Sequence, residues 1–107
     1  GRVLETFVHA EIRKMGGWSD VPVRLSHFRD RDGVEVDLVL ERGRQLAGIE
    51  VKASATVASR DFRGLQHLKD AAGSRFAGGV VLYDGETCAP FGDRLYAVPI
   101  RRLWETV

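Results

Sequence analysis

The sequence predicts an α/β fold, a mixed β-sheet flanked by helices in the order α-β-β-β-α-β-β with a closing helical turn. Three observations carry that prediction. Apolar residues recur at helical spacing through the first fifteen positions, residues 34–52 alternate at strand spacing on either side of one turn, and residues 79–83 form an unbroken apolar run of strand length.

The first element is a helix over residues 2–15. Val3, Leu4, Phe7, Val8, Ile12 and Met15 lie three and four residues apart, so one stripe of it faces a core, and Gly16-Gly17 ends it. A loop from Trp18 to Pro22 leads to a first strand over residues 23–29, and Asp30-Arg31-Asp32-Gly33 is a turn cluster. Residues 34–41 and 46–52 then read as the two arms of a β-hairpin around a loop at residues 42–45. A short helix over residues 61–72 places Phe62, Leu65, Leu68 and Ala72 on one face, with Ser59 or Asp61 as its cap and Gly73 as its stop. The run at 79–83 is a strand buried on both faces, Asp84-Gly85 a turn, residues 95–98 a brief strand, and residues 99–104 the start of a terminal helical turn.

The length of 107 residues fits one domain, 1–107. At 44% hydrophobic and 29% charged the chain is expected to be an ordinary globular one, with no apolar run long enough to cross a membrane. The lone Cys88 makes no intramolecular disulfide, which points to a reducing, cytoplasmic setting. The net charge of +1 is too small to announce a nucleic-acid binder. An excess of Arg over Lys suits a phosphate-bearing partner, and a GC-rich genome explains it equally well.

The hairpin is where chemistry gathers. With a loop at 42–45, Glu41 pairs with Leu46 and Leu40 with Ala47, so Asp37 falls opposite Glu50 and Glu35 opposite Lys52. Opposed residues share a face, their Cβ atoms about 5 Å apart. Two carboxylates and an ammonium thereby converge on one patch, with Gly48 leaving open space beside them. The other face carries Val36, Leu38, Leu40, Ala47, Ile49 and Val51 toward a core. A hard cation such as Mg²⁺ or Mn²⁺ takes oxygen ligands and keeps several waters, so one or two carboxylates suffice to hold it. Lys52 on the same face is placed to orient an attacking water or to steady developing negative charge. The plainer alternative is a solvated hairpin face, where such pairs contribute only tenths of a kcal/mol.

Asp37, twelve intervening residues and then Glu50-Val51-Lys52 resembles the D-x(n)-E-x-K signature of the PD-(D/E)XK nuclease superfamily, with Val36 where the name has proline. The resemblance implies a restriction-endonuclease-like fold with an α-β-β-β-α-β core and the signature on its second and third strands. It implies that Asp37 and Glu50 ligate the metal, that the Val51 backbone carbonyl is a further ligand, and that Lys52 serves the attacking water. Many members add a glutamate from the first helix, the place that Glu5 occupies here. Gln66, Glu35 and Ser54 are supporting candidates. The segments GRVLETFV, EVDLVLE, IEVKAS, DFRGLQHL, FAGGVVLYDGE and PFGDRLYAVPIRRLW look like the nuclease-like C-terminal domain of unknown function in prokaryotic AAA-type ATPases. No G-x-x-x-x-G-K-[ST] occurs in the chain, so an ATPase would be a separate, covalently linked part.

Two functions from different classes follow. One is a metal-dependent nuclease acting on nucleic acid, DNA before RNA. The other is a catalytically silent module that binds nucleic acid, or regulates or oligomerises its parent ATPase. An exposed sheet edge would let the domain pair with a copy of itself as a homo-oligomer.

Overall fold

Residues rich in valine, isoleucine and leucine at strand spacing build the middle of the chain. The computed structural model describes residues 24–102. Six strands form one mixed sheet: β1 (Arg24–Arg29), β2 (Glu35–Arg42), β3 (Gln45–Lys52), β4 (Phe76–Tyr83), β5 (Ala89–Pro90) and β6 (Leu95–Pro99), in the order β1-β2-β3-β4-β6-β5. β1, β2 and β3 are antiparallel neighbours, β4 lies parallel to both β3 and β6, and β5 closes the far edge antiparallel to β6. The crossover from β3 to β4 carries a 3-10 turn, Ser59–Phe62, followed by helix α1, Arg63–Ala72. The expected first helix, with Glu5 and His9, lies outside the described residues, as do Trp18 and Trp104.

The hairpin turns on two residues rather than four. Arg42 pairs with Gln45, and Gly43 supplies the positive φ, 59°, that a type II′ turn needs at its first loop position. The register is the expected one, Leu40 against Ala47 and Glu41 against Leu46. The α-helix starts later than expected, at Arg63, because residues 59–62 take the tighter 3-10 geometry; Asp61 caps that 3-10 turn by accepting the Ala58 N–H, and Ser59 makes no side-chain cap. The two-residue strand β5 has no periodicity to betray it and was not anticipated.

The apolar residues divide between the two faces of the sheet. Leu40, Ala47, Ile49, Val80, Leu82 and Val98 form one buried group. Val39, Leu46, Phe76, Val81, Leu95 and Ala97 form the other, beneath α1. Leu65 and Leu68 of α1 are 0% and 3% exposed, and burying each is worth about 1.5–3 kcal/mol. They approach β3 so closely that a Cβ on Gly48 would lie 2.5 Å from Leu65 Cδ2 and 2.8 Å from Leu68 Cδ2. Gly48 is thus the seat of the helix, correcting the expected open space beside the carboxylates. Gly64 serves the same purpose from the helix side, since a Cβ there would strike the Glu35 carbonyl oxygen. Among the described residues no helix is long and apolar enough to cross a membrane.

Candidate functional site

Strand β2 carries an irregularity at the site. Ser26 pairs with Val39 and Phe28 with Val36, so the single residue His27 of β1 faces both Asp37 and Leu38 of β2. That is a β-bulge, a device that bends a strand and re-aims a side chain. Its effect is visible in the core. Leu38 and Leu40 pack on one face of the sheet, whereas Val36 packs with Val39 beneath α1. The expectation that Val36 shares a face with Leu38 and Leu40 is corrected by that extra residue. Val51, expected in the same apolar face, is instead 51% exposed at the end of β3.

Beyond the bulge, side chains replace the rungs of the ladder. Regular pairing of β2 with β3 ends at Leu38 and Ile49. The Asp37 N–H then donates to Glu50 Oε1 at 2.7 Å, and the Val51 N–H donates to Asp37 Oδ2 at 3.0 Å. Each carboxylate thus has one oxygen tied to the opposite strand, which brings Asp37 and Glu50 together although the backbone ladder stops one residue short of them. Burial pushes the Glu50 carboxyl above its ordinary value; the Asp37 N–H pulls it down, and the charges of Asp37 and Glu35 add to the rise. Crowded carboxylates of this kind favour whatever relieves their charge, a proton or a cation.

Lys52 stands two residues beyond Glu50 on β3. Its Nζ meets Asp61 Oδ2 at 2.6 Å, with 27% and 17% of the two side chains exposed. The same Asp61 oxygen accepts the Ala58 N–H at 2.7 Å. Hydrogen bonding to the Lys52 ammonium holds the Asp61 carboxyl below the usual aspartate range. Sequence reading assigned Asp61 to the helix cap and missed this role. The signal was there: the crossover after a parallel strand starts at that strand's C-terminal end, so an acidic residue at its start meets a lysine that closes the strand.

With this geometry in view, comparison with known families is decisive at one level. The model of a domain of unknown function, DUF4143, matches residues 1–103. The chain belongs to that family. No curated protein and no solved structure matches it.

The remaining candidates of this DUF4143 domain are placed as follows. Glu35, expected opposite Lys52, instead approaches Arg29 at 3.5 Å, because the strands have parted beyond Asp37. Ser54 shapes its own loop: its Oγ accepts the Thr56 N–H at 3.2 Å and its carbonyl accepts the Asp84 N–H at 2.8 Å. Gln66 is exposed on α1 and donates to Asp70 at 3.2 Å, beside a cleft of about 290 Å³ floored by Phe62, Phe91 and Leu95. Glu5 lies outside the described residues. Among the described residues no group of three or more His, Cys, Asp or Glu side chains could hold a metal, and of the expected ligands the side chains brought together are those of Asp37 and Glu50. A second tie binds the turn before β2 to α1. His67 Nδ1 and Asp30 Oδ2 are 2.6 Å apart, while Asp30 Oδ1 accepts the N–H groups of Asp32 and Val34. Hydrogen bonding to His67 lowers the Asp30 carboxyl below its ordinary value.

Proposed function

We propose that this DUF4143 domain is a metal-dependent nuclease of the PD-(D/E)XK kind, with a restriction-endonuclease-like fold. The observation that carries the reading is the meeting of Asp37 and Glu50 beyond the bulge, each with one oxygen held by a backbone N–H of the opposite strand. Among the described residues the second oxygen of each takes no hydrogen bond, which leaves two hard donors for a cation. The donor set suits Mg²⁺ or Mn²⁺, which bind through one or two carboxylates and fill the remaining positions with water and substrate phosphate. Glu5 from the first helix would add a carboxylate. When bound, such an ion polarises a phosphoryl oxygen and acidifies a water.

The chain's own residues do the rest. Asp37 and Glu50 set where the scissile phosphate lies, and the Val51 carbonyl is a third oxygen beside them. Lys52 presents a cation from the same strand, suited to orient the water or to offset charge that builds on the phosphate oxygens. Arg60 and Arg63, exposed on either side of the turn that holds Asp61 and Phe62, are suited to flanking phosphates. DNA is the expected substrate, ahead of RNA, and the domain would act in the cytoplasm as the C-terminal part of an AAA-type ATPase.

Cleavage of supercoiled plasmid and of single-stranded DNA with Mg²⁺ or Mn²⁺ tests this. Activity abolished by EDTA and by Asp37→Ala, and sharply reduced by Lys52→Ala, supports the reading. Absence of both cleavage and Mn²⁺ binding to Asp37 removes it in favour of a silent binding or regulatory module.

A further inference from the structure

A lysine at the end of a strand has a flexible four-carbon stem and does not by itself keep its ammonium in one place. Lys52 is held nonetheless. Its partner Asp61 accepts the Ala58 N–H at 2.7 Å, and the Asp61 N–H returns a bond to the Ala58 carbonyl at 2.9 Å. The next residue, Phe62, is 3% exposed and stacks on Phe91 with ring centroids 4.8 Å apart, which anchors the turn in the core. A carboxylate fixed in this way is a rigid acceptor. Glu35, the acid expected opposite Lys52, approaches Arg29 instead. An ammonium has three N–H groups, and Asp61 takes one of them.

We propose that Asp61 is the positioning residue of the site: it fixes the Lys52 ammonium two residues beyond Glu50 on β3, so that the other two N–H groups are left for an incoming phosphate and its water. This rests on the nuclease reading. Asp61 touches no reacting atom in this scheme and acts through Lys52 alone.

The test is steady-state cleavage of single-stranded and plasmid DNA with Mn²⁺ by the full chain, its Asp61→Asn, Asp61→Glu and Lys52→Ala variants, and the Asp61→Asn/Lys52→Ala double variant, each confirmed by circular dichroism to be folded at the assay temperature. Asp61→Asn should lower kcat by about 10–100-fold while KM stays within about twofold, the range seen when a supporting residue is lost. Asp61→Glu should recover most of that loss. In the Lys52→Ala background Asp61→Asn should change the rate less than about twofold, because a residue that acts through another has nothing left to act on. A multiplicative loss in the double variant, or an effect on KM alone, overturns the proposal. A wild type that neither cuts nor binds Mn²⁺ at Asp37 overturns the nuclease reading instead, and wherever the wild type cuts nothing the ¹⁵Nζ resonance of Lys52 reports on the pair by itself. A shift on Asp61→Asn upholds the placement, and an unmoved resonance removes it.

Discussion

Replacing Gly48 with alanine tests the packing that joins the sheet to α1. The new Cβ would lie 2.5 Å from Leu65 Cδ2, 2.8 Å from Leu68 Cδ2 and 3.2 Å from Val36 Cγ1. Carbon atoms rest about 3.5–4.0 Å apart, so the nearest leucine must retreat by about 1 Å. It has little room, since Leu65 is 0% and Leu68 3% exposed. Overpacking of this kind costs about 1–3 kcal/mol. The opposing gain, an unfolded chain with fewer conformations to lose, is about 0.4–1 kcal/mol. The clash wins, with a net loss of roughly 1–2 kcal/mol. A domain of this size loses about 4–8 °C per kcal/mol, so Gly48→Ala should melt about 5–15 °C below the parent in scanning calorimetry. The helix that must shift follows directly from the turn bearing Asp61, so the Lys52–Asp61 pair should loosen with it and cleavage should fall. A midpoint equal to the parent's, or higher, would refute the close approach of α1 to β3.

The site itself makes further predictions. Asp37→Ala removes both a proposed metal ligand and the acceptor of the Val51 N–H, and cleavage should drop by more than about 100-fold, beyond the range for supporting residues. Burial raises the Glu50 carboxyl, so its ionised form opposes folding; the penalty is absent in acid and complete once the pH passes the raised folded value. Glu50→Gln should therefore melt above the parent at neutral pH in EDTA, with the gap closing in acid, while Mn²⁺ raises the parent's midpoint more than the variant's. Equal midpoints at neutral pH would contradict this. Asp30 and Asp61 behave in the opposite sense. Their carboxyls are lowered by His67 and Lys52, so each adds stability above its unfolded value and loses it as the pH falls through the folded one. His67→Ala should make the acid limb of a urea-midpoint profile shallower, and an unchanged slope would count against the Asp30 tie.

Much of this was legible because local chemistry and global pattern agree. The apolar alternation of β2 and β3, with a glycine at the turn, specified the hairpin register and hence the meeting of Asp37 with Glu50. Phe62 and Tyr83 were read as core residues and are 3% and 5% exposed. What escaped depends on partners distant in sequence. Alternation within β2 reads straight through the bulge, because the extra residue exists only relative to β1, and so Val36 was assigned to the wrong face. A glycine looks the same in sequence whether its space stays open or a helix fills it, and Gly48 proved to be filled. The expected pair of Glu35 with Lys52 assumed that the ladder continues past Asp37, where side chains take over from backbone.

That takeover has an evolutionary consequence. An oxygen of Asp37 doubles as a strut between β2 and β3, so losing that carboxylate would strip a buttress from the hairpin as well as a proposed ligand from the site. A lineage that lost the proposed activity would therefore shed Lys52, which ties no neighbouring strand, sooner than Asp37. Among DUF4143 domains, the lysine would then be the better marker of that activity.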